Sequence, residues 1–486
     1  MKTTIAVLDK HGDNVVPVVL EALKSLHAEQ PSCFGVALPA KALLKGEAGA
    51  LKKQGASSPA VVGYAFSKTK PINDYEFVRL EDAALVFEGR IYSPIPRTAI
   101  AEQVAKEPSH CETVLQTLIE EAEGDYSFML LKKDWVAAGR DPVGVQPLYY
   151  GENAKLAALA SNRKALWKLG IEKPVSFPPG HLAFVNREGF QFKPIKRLTF
   201  SKPEKVTMEK AAETLQALLE QSVQKRVFGA KEVAVAFSGG LDSGLVAFMA
   251  NKCGAKVHLI HVSLENQTET EQAITAANAL ELPLQVILFK ESDVEKVLPK
   301  VVDLIEEPDP IKASIGVPFY WTAEKAAEAG FKVLLAGQGA DELFGGYQRY
   351  VDEYVSYGEE TVRRTMFDDV VKLHESNIER DVKICNFHDV ELRLPFASYP
   401  IAGFAMSLPV ELKIERKSDS LRKLVLRKVA ENVGLPKSIV DKPKKAVQYS
   451  TGINDALKNL AKKQKTTVKD YVNKLFLSQR EFITKK

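Results

Sequence analysis

The feature that most constrains the fold is a short apolar run, Val233–Phe237, followed at once by the hexapeptide SGGLDS, residues 238–243. The run is too short for a helix and has no polar interruption, which is typical of a strand buried on both faces of a parallel sheet. Further predicted strands (257–262, 285–289, 332–336) alternate with predicted helices (209–228, 243–252, 270–280, 322–330). This alternation predicts a doubly wound α/β layer, in which ligands bind at the carboxyl ends of the strands.

The first half of the chain has a different pattern. Short predicted strands (4–8, 84–87, 126–131, 136–138, 182–185) accompany two helical segments (16–26, 111–122), which predicts an α+β domain. Apolar periodicity lapses across residues 196–209, where charged residues and proline accumulate. We therefore expect two domains, 1–195 and 205–486.

Charge and cysteine usage exclude several classes of protein. The 66 Lys and Arg residues nearly balance the 62 Asp and Glu residues, for a net charge of +4, which argues against a protein that coats nucleic acid or membrane. The four cysteines lie far apart without zinc-ligand spacing, as expected for reduced thiols in a cytoplasmic protein. No apolar stretch is long enough for a secretory signal or a membrane helix.

The hexapeptide predicts a phosphate-binding loop. Gly239 and Gly240 let the backbone approach a ligand closely, and the helix that follows presents free N–H groups at the positive end of its dipole. The hydroxyls of Ser238 and Ser243 add donors. A carboxylate such as Asp242 suits this setting only if a divalent cation bridges it to the phosphates.

A second glycine-rich segment, Gly337–Tyr347 (GQGADELFGGY), follows the predicted strand 332–336. Its carboxylate Asp341 is expected close to Asp242, because parallel strands end at the same edge of a sheet. The two carboxylates would share one Mg²⁺.

Together the two motifs resemble the PP-loop ATP pyrophosphatases, and in particular the glutamine-dependent asparagine synthetases, over nearly the whole chain. The resemblance implies an N-terminal-nucleophile (αββα) glutaminase-like domain followed by an α/β PP-loop synthetase domain. It also implies that ATP activates aspartate as β-aspartyl-AMP in the presence of Mg²⁺, and that ammonia then displaces AMP. A homodimer is compatible with it, and no nucleic-acid or membrane partner is expected.

The resemblance assigns site residues by motif. It implies that ATP is bound by Ala236, Ser238, Gly239, Gly240, Leu241, Asp242, Ser243, Val262, Ala336, Gly337, Lys423 and Lys444. It implies that the metal is bound by Asp242 and Asp341. It assigns the acceptor to Lys312, Gln338, Gly339 and Asp341, and catalytic roles to Lys444, Asp242 and Glu306. Lys312 stands where arginine is usual, and Lys lacks the bidentate fork that suits a carboxylate. Gln338 stands where the family often has a glutamate base, so solvent or Glu306 is expected to take the proton.

The glutaminase half departs from the family at three places. Position 2 is Lys, where the family exposes a nucleophilic cysteine. The segment 27–33 lacks the arginine of the glutamine pocket, and Glu88-Gly89 replaces the Asn-Gly of the oxyanion hole, where an acid would repel the oxyanion. Framework motifs such as Gly139–Tyr149 and Phe177–Gly180 remain. We expect the glutaminase fold without glutaminase activity, and free ammonia as the nitrogen source.

Three alternatives stay open at this stage. Adenylation can serve another carboxylate or nucleophile, as in relatives that close β-lactam rings. The chain can also bind nucleotide without catalysis, for which Gln338, Lys312 and Ala336 are arguments. A role in tRNA modification would require a larger basic surface than the carboxyl-terminal tail offers.

Overall fold

The structure is a computed structural model that describes residues 2–27, 32–38, 43–46, 56–67, 77–79, 83–93, 111–132, 135–417, 421–442 and 451–485. The chain forms two compact units, one of residues 1–197 with 477–486 and the other of residues 198–476. The segment 477–486 belongs to the first unit, whereas the sequence pattern assigned it to the second domain. One contact in it joins Arg480 to the carbonyl of Glu172 at 3.1 Å.

The first unit contains two antiparallel sheets. Its strands are β1 (Lys2–Asp9), β2 (Ser32–Ala37), β3 (Leu43–Gly46), β4 (Ala60–Ser67), β5 (Phe77–Arg79), β6 (Ala84–Ser93), β7 (Glu123–Leu131), β8 (Val136–Arg140), β9 (Tyr149–Glu152), β10 (Leu156–Ala160), β11 (Val175–Ser176), β12 (His181–Asn186) and β13 (Gly189–Pro194). The strand orders are β11-β9-β10-β1-β4-β2-β3 and β13-β12-β8-β7-β6-β5. Its helices are α1 (Val16–Leu26), α2 (Cys111–Glu121) and α3 (Arg163–Lys168).

Apolar side chains fill three layers of the first unit. One cluster joins the facing sides of the two sheets, for example Val62 with Val86. A second packs α1 and α3 against the first sheet, and a third packs α2 against the second sheet. Helices therefore cover both outer faces, which confirms the αββα arrangement expected from the sequence.

The second unit is an α/β layer with further helices. Its strands are β14 (Glu232–Ala236), β15 (Lys256–Leu264), β16 (Leu284–Phe289), β17 (Val333–Leu335) and β18 (Glu391–Arg393). Its helices are α4 (Met208–Val227), α5 (Leu241–Lys252), α6 (Thr268–Ala279), α7 (Glu291–Ile305), α8 (Pro310–Glu328), α9 (Ala340–Phe344), α10 (Gln348–Tyr357), α11 (Glu359–Val371), α12 (Glu379–Phe387), α13 (Tyr399–Ser407), α14 (Leu424–Val433), α15 (Lys437–Val440) and α16 (Ile453–Lys463); α17 (Val468–Lys485) follows.

The five strands form one parallel sheet in the order β16-β15-β14-β17-β18. The predicted parallel layer is thus confirmed, and β14, which leads into the SGGLDS loop, lies at its centre. The carboxyl ends of β15, β14 and β17 lie side by side, so the segments after these strands meet at one edge.

One helix differs from its prediction. The pattern indicated a helix over 322–330, but α8 begins at Pro310. Asp309 caps this helix by accepting hydrogen bonds from the backbone N–H groups of Ile311 and Lys312, and Pro310 occupies the first turn. These start signals were present in the sequence and outweigh the interior Pro318. Among the described helices, none has the length and apolarity needed to cross a membrane.

Candidate functional site

The SGGLDS loop connects β14 to α5 in a backbone conformation that requires its first glycine. Gly239 has φ +67°, and a Cβ there would lie 2.8 Å from the Cα of Ala273 on α6. The hydroxyl of Ser243 accepts a hydrogen bond from the backbone N–H of Ser238 at 3.2 Å and lies 3.2 Å from the hydroxyl of Ser238. The loop is therefore closed upon itself, with Gly240 at the N-cap of α5.

The loop forms one wall of a cavity of about 560 Å³, a size typical of small-molecule sites. Its other lining residues come from α6 and from the carboxyl-terminal helices; they include Glu269, Glu271, Gln272, Thr275, Lys423, Arg427 and Lys442. The wall made by the loop includes Ser238, Gly239, Gly240, Leu241 and Asp242. Ser243 is not among these lining residues, and its hydroxyl contacts Ser238 within the loop.

The two carboxylates expected to share a metal converge on one lysine. The ammonium of Lys423 lies 2.7 and 2.6 Å from the two oxygens of Asp242 and 2.6 Å from Oδ1 of Asp341. The Lys423 side chain is only 2% exposed. Sequence reasoning included Lys423 among the ATP ligands but did not predict that it would bridge these carboxylates.

Glycine is required beside this ion cluster as well. A Cβ at Gly346, in the GQGADELFGGY segment, would overlap Oδ1 of Asp341 and approach Cε of Lys423 to 2.5 Å. A Cβ at Gly337 would lie 2.9 Å from the Cβ of Asp242. Gly337 therefore allows the two motifs to touch, and Gly346 leaves room for the pair of Asp341 and Lys423.

The two carboxylates of Asp242 and Asp341 fit a Mg²⁺ ion that takes its other ligands from water and substrate. Among the described residues, no group of three or more His, Cys, Asp or Glu side chains could hold a metal ion alone. Two carboxylates completed by water and substrate phosphates are an ordinary magnesium site. With Lys423 counted, the cluster keeps one net negative charge, which favours a cation. Asp242 and Asp341 would hold it.

A buried acid supports Asp341 from behind. Glu342 is 4% exposed and accepts hydrogen bonds from the hydroxyl of Tyr347 at 2.6 Å and from the amide of Asn377 at 2.7 Å. Burial, and then the charge of Asp341, raise the pKa of Glu342. Its two donors fix the start of α9, and hence the position of Asp341.

Two cations that sequence reasoning did not select lie close to the loop. The ammonium of Lys442 donates to the carbonyl of Gly239 at 3.1 Å. Arg427 donates to the carbonyl of Lys442 at 3.0 Å and to that of Val440. Both residues lie in basic segments that resemble segments of the asparagine synthetases. Those segments were the sequence signal that could have identified them. The predicted phosphate ligand Lys444 lies outside the described residues.

The residues assigned to the adenosine side lie at the carboxyl edge of the sheet. Ala236 ends β14, Val262 is in β15, and Ala336 and Gly337 follow β17, so the fold brings all four together on neighbouring strands. Ala336 and Val262 are buried, at 1% and 6% exposure. None of the four lines the cavity described above.

The residues assigned to the acceptor side form ion pairs and hydrogen bonds. Lys312 is paired with Glu307, and Glu306 with Lys383 at 3.2 Å. The amide of Gln338 donates to Oδ2 of Asp381 at 2.9 Å. The carboxylate that touches Gln338 is therefore Asp381, a residue that sequence reasoning missed, and not Glu306. Gly339 has φ +93° at the N-cap of α9.

In the first unit, the positions of the expected glutamine site are filled by a buried polar cluster. Glu88 is 2% exposed and accepts hydrogen bonds from the hydroxyl of Thr4 and, at 3.0 Å, from the amide of Gln146. Thr3 lies 3.1 Å from Nε2 of His27 and accepts from Asn162 at 3.0 Å. Burial lowers the pKa of His27 to about 4. Both oxygens of Glu88 are thus engaged within the protein.

Comparisons with known proteins match both halves of the chain to family models. Residues 214–359 and 353–485 match the family model of asparagine synthase, and residues 75–168 match that of a glutamine amidotransferase domain. A putative glutamine-hydrolysing asparagine synthetase of Methanocaldococcus jannaschii is 35% identical over 397 residues, which are 71% of this chain and 72% of that protein.

More distant proteins are also similar. A glutamine-hydrolysing asparagine synthetase of Zea mays is 28% identical over 386 residues, which are 74% of this chain and 64% of the maize protein. A solved glutamine phosphoribosylpyrophosphate amidotransferase of B. subtilis, complexed with ADP and GMP, is 15% identical with a TM-score of 0.32, over 58% of this chain and 65% of that chain. By the family-model match and the archaeal relative, the chain belongs to the asparagine synthetase family.

Proposed function

We propose that this protein makes asparagine from aspartate and free ammonia, with cleavage of ATP to AMP and pyrophosphate. The observation that carries the proposal is the convergence of Asp242, Asp341 and Lys423 at the mouth of the glycine loop. In the first step, an oxygen of the aspartate side-chain carboxylate forms a bond to the α-phosphorus, and pyrophosphate leaves with the electrons of the broken P–O bond. In the second step, ammonia displaces AMP.

Residues near the loop would stabilise the negative charge that develops on the phosphates during adenylation. Lys442 and Lys423 flank the loop and would stabilise the departing pyrophosphate, a role for which fixed cations in a partly dry site are effective. Lys444 is proposed to do the same from the segment outside the described residues. Mg²⁺, held by Asp242 and Asp341, would polarise the phosphate oxygens.

Free ammonia, rather than glutamine, is proposed as the nitrogen source because of the first unit. A glutaminase needs a thiolate and an oxyanion hole. In this chain β1 contains no cysteine, and Glu88 stands at the position of the oxyanion hole, where its acid would repel the oxyanion. Thr4 and Gln146 donate to Glu88, and Thr3 bonds to His27 and Asn162. We propose that domain 1–195 is structural and that domain 205–486 is the synthetase, in a cytoplasmic enzyme.

The experiment compares nitrogen sources with the purified full chain. With ATP, Mg²⁺ and aspartate, ammonium should give equal amounts of AMP, pyrophosphate and asparagine, and glutamine should give no asparagine above background. Asp242→Asn should lower pyrophosphate release at least about 100-fold, since it removes a ligand of the reacting phosphates. Asp455→Asn, at an exposed position on α16, is the matched control and should keep full activity.

Two outcomes would contradict this proposal. Asparagine formation from glutamine at a rate near that with ammonium would show a working glutaminase. Full activity of Asp242→Asn would show that the metal assignment is wrong.

A second candidate function keeps the adenylation and changes the acceptor. The ion pair between Lys312 and Glu307 favours it, because a lysine already neutralised by a carboxylate attracts an acidic acceptor less than a free arginine does. A screen of carboxylic acids for ammonium-stimulated AMP release distinguishes the two. Stimulation by another acid at lower concentration than by aspartate would favour the second candidate.

A further inference from the structure

A buried histidine joins the start of the SGGLDS loop to helix α6. His261, on β15, is 4% exposed. Its Nδ1 lies 2.9 Å from the carbonyl oxygen of Phe237, the residue immediately before the loop. Its Nε2 lies 3.4 Å from the hydroxyl of Thr270 on α6. One side chain therefore contacts both elements.

The loop and α6 form two walls of the cavity described above. The wall on α6 includes Glu269, Glu271, Gln272, Thr275 and Ala276. The two walls already touch at one point, since a Cβ on Gly239 would lie 2.8 Å from the Cα of Ala273. His261 adds a second connection between the same two elements. The spacing of the walls therefore depends on both contacts.

The peptide that leads into the loop is held at both ends by β15. The N–H of Phe237 donates to the carbonyl of Ile260 at 2.9 Å, and its carbonyl accepts from the ring of His261. Ser238, which follows, is the first loop residue that lines the cavity. The direction in which the chain enters the loop is therefore fixed by two neighbouring residues of one strand.

Hydrogen-bond chemistry fixes the tautomer of His261. A backbone carbonyl only accepts, so Nδ1 must carry the proton that faces Phe237. Burial lowers the pKa of His261; the Phe237 hydrogen bond raises it, the charge of Lys442 lowers it, and that of Glu269 raises it. The lowered pKa leaves the ring neutral at pH 7, so Nε2 is an acceptor and the hydroxyl of Thr270 is its donor. The contacts thus form a chain of donors from Thr270 through His261 to Phe237.

We infer that His261 is a positioning residue for the phosphates of ATP, because it holds the SGGLDS loop at the distance from α6 that the phosphate chain requires. The inference rests on the function proposed above and concerns the binding of its nucleotide. His261 is not among the residues that line the cavity. Its effect passes through Phe237 on one wall and Thr270 on the other.

The same strand contains a histidine that serves as a control for packing. His258 packs against Phe331, with ring centroids 4.9 Å apart, and its Nε2 has no hydrogen-bond partner in the described part of the chain. A leucine at either position changes the packing of β15. Only a leucine at position 261 also removes the connection between the loop and α6.

The test compares His261→Leu, His261→Asn, Thr270→Val and the control His258→Leu in the full chain. His261→Leu removes both ring nitrogens. His261→Asn places an amide N–H near the position of the Nδ1–H, so it keeps the donor to Phe237 and loses the contact with Thr270. Thr270→Val keeps the side-chain shape and removes the hydroxyl.

Three measurements are made on each variant. Calorimetric titration with ATP in the presence of Mg²⁺ gives the Kd for ATP, which requires no turnover. Asparagine formation with ammonium gives the KM for aspartate. Urea unfolding checks that the variant is folded.

His261→Leu should weaken ATP binding about tenfold, because the loop loses its hydrogen bond to β15. Its KM for aspartate should stay within about twofold of the parent, since the residues proposed for the acceptor lie in α8 and after β17. His261→Asn should bind ATP within about threefold of the parent, because it keeps the bond to Phe237. Thr270→Val should weaken ATP binding about threefold, because Nε2 then lacks its donor. His258→Leu should bind ATP as the parent does.

The contrary results are distinct. A parent that binds no ATP overturns the proposed function, and the role of His261 with it. A parent that binds ATP, together with an unchanged Kd in His261→Leu, overturns the role of His261 alone. Equal weakening by leucine at 258 and at 261, or an equal rise in the KM for aspartate, shows a general packing effect and also overturns it.

The remaining variants decide the two halves of the connection. Binding by His261→Asn as weak as that by His261→Leu overturns the role of the bond to Phe237. Unchanged ATP binding in Thr270→Val overturns the coupling to α6, and this comparison holds even where His261→Leu does not fold.

Discussion

At the scale of single residues, the ion cluster around Lys423 shows how a buried charge is stabilised. Its side chain is 2% exposed, and removal of its ammonium from water is offset by two carboxylates at 2.6 to 2.7 Å. Lys423 also has φ +62° at the N-cap of α14. The surrounding contacts, including the backbone bond from Leu424 to the Lys413 carbonyl, hold it there.

We expect Lys423→Met to lower the free energy of unfolding by about 3 kcal/mol, because it leaves two close carboxylates uncompensated. Mg²⁺ should stabilise this variant more than it stabilises a protein that keeps the lysine, since loss of the ammonium leaves the two negative charges of Asp242 and Asp341 for a divalent cation. Urea unfolding with and without MgCl₂ measures both effects. Lys428→Met on α14, where the lysine pairs with Glu431 at the surface, is the control. An equal response to Mg²⁺ in both variants would contradict the assignment of these carboxylates as a cation site.

At the scale of elements, the site depends on close contacts between two loop segments and the helices α5 and α6. The SGGLDS loop touches α6 at Gly239, and the segment after β17 touches the start of α5 at Gly337. Neither contact leaves room for a Cβ. The glycines therefore serve packing between elements, in addition to the exposure of backbone N–H groups to phosphate.

Gly239→Ala separates this packing effect from backbone strain when it is compared with Gly229→Ala. Both glycines have positive φ, +67° and +75°, but a Cβ at Gly229 meets nothing within 4 Å. Each substitution should cost about 1 kcal/mol of stability from the left-handed backbone. Only Gly239→Ala should also displace α6 and weaken ATP binding, by about tenfold or more, in a calorimetric titration. Equal ATP affinity in the two variants would show that the loop tolerates a Cβ.

At the scale of the whole molecule, the two units differ in how they use buried polar groups. In the second unit, buried acids and bases surround a cavity about 560 Å³ in volume. In the first unit, buried polar groups bond to one another in two separate sets, Glu88 with Thr4 and Gln146, and Thr3 with His27 and Asn162. A satisfied polar cluster stabilises a fold but offers a substrate nothing to bind.

His27 is expected to make the free energy of unfolding of the first unit fall at low pH. Burial lowers the folded-state pKa of His27 from 6.5 to about 4, so the unfolded chain binds its proton first as the pH falls. The stability is complete above pH 6.5 and is lost as the pH drops toward 4. Between pH 7 and pH 5 the loss should be about 2 kcal/mol. His27→Gln should remove this part of the pH dependence in urea unfolding, and His11→Gln, at an exposed position, should not. An unchanged slope in His27→Gln would show that other groups set it.

Sequence alone determined the features that local chemistry dictates. The apolar run before SGGLDS predicted a buried parallel strand, which the fold confirms, and two glycines with an aspartate at its end predict a phosphate loop, because both signals lie within about ten residues of chain. Periodicity predicted α1 and an α+β first half, and the family resemblance implied the αββα arrangement. The departures at residues 2 and 88 were visible because each replaces a chemical type that the glutaminase reaction needs.

Tertiary structure decided which distant side chains meet. Lys423 is 181 positions from Asp242, Asp381 is 43 positions from Gln338, and Lys442 is 203 positions from Gly239. No periodicity records such pairs, since burial and the packing of α12 and α14 bring them together. The sequence therefore named the loop and its carboxylates, and the fold alone showed that a lysine lies between the carboxylates and that a buried aspartate accepts a hydrogen bond from Gln338.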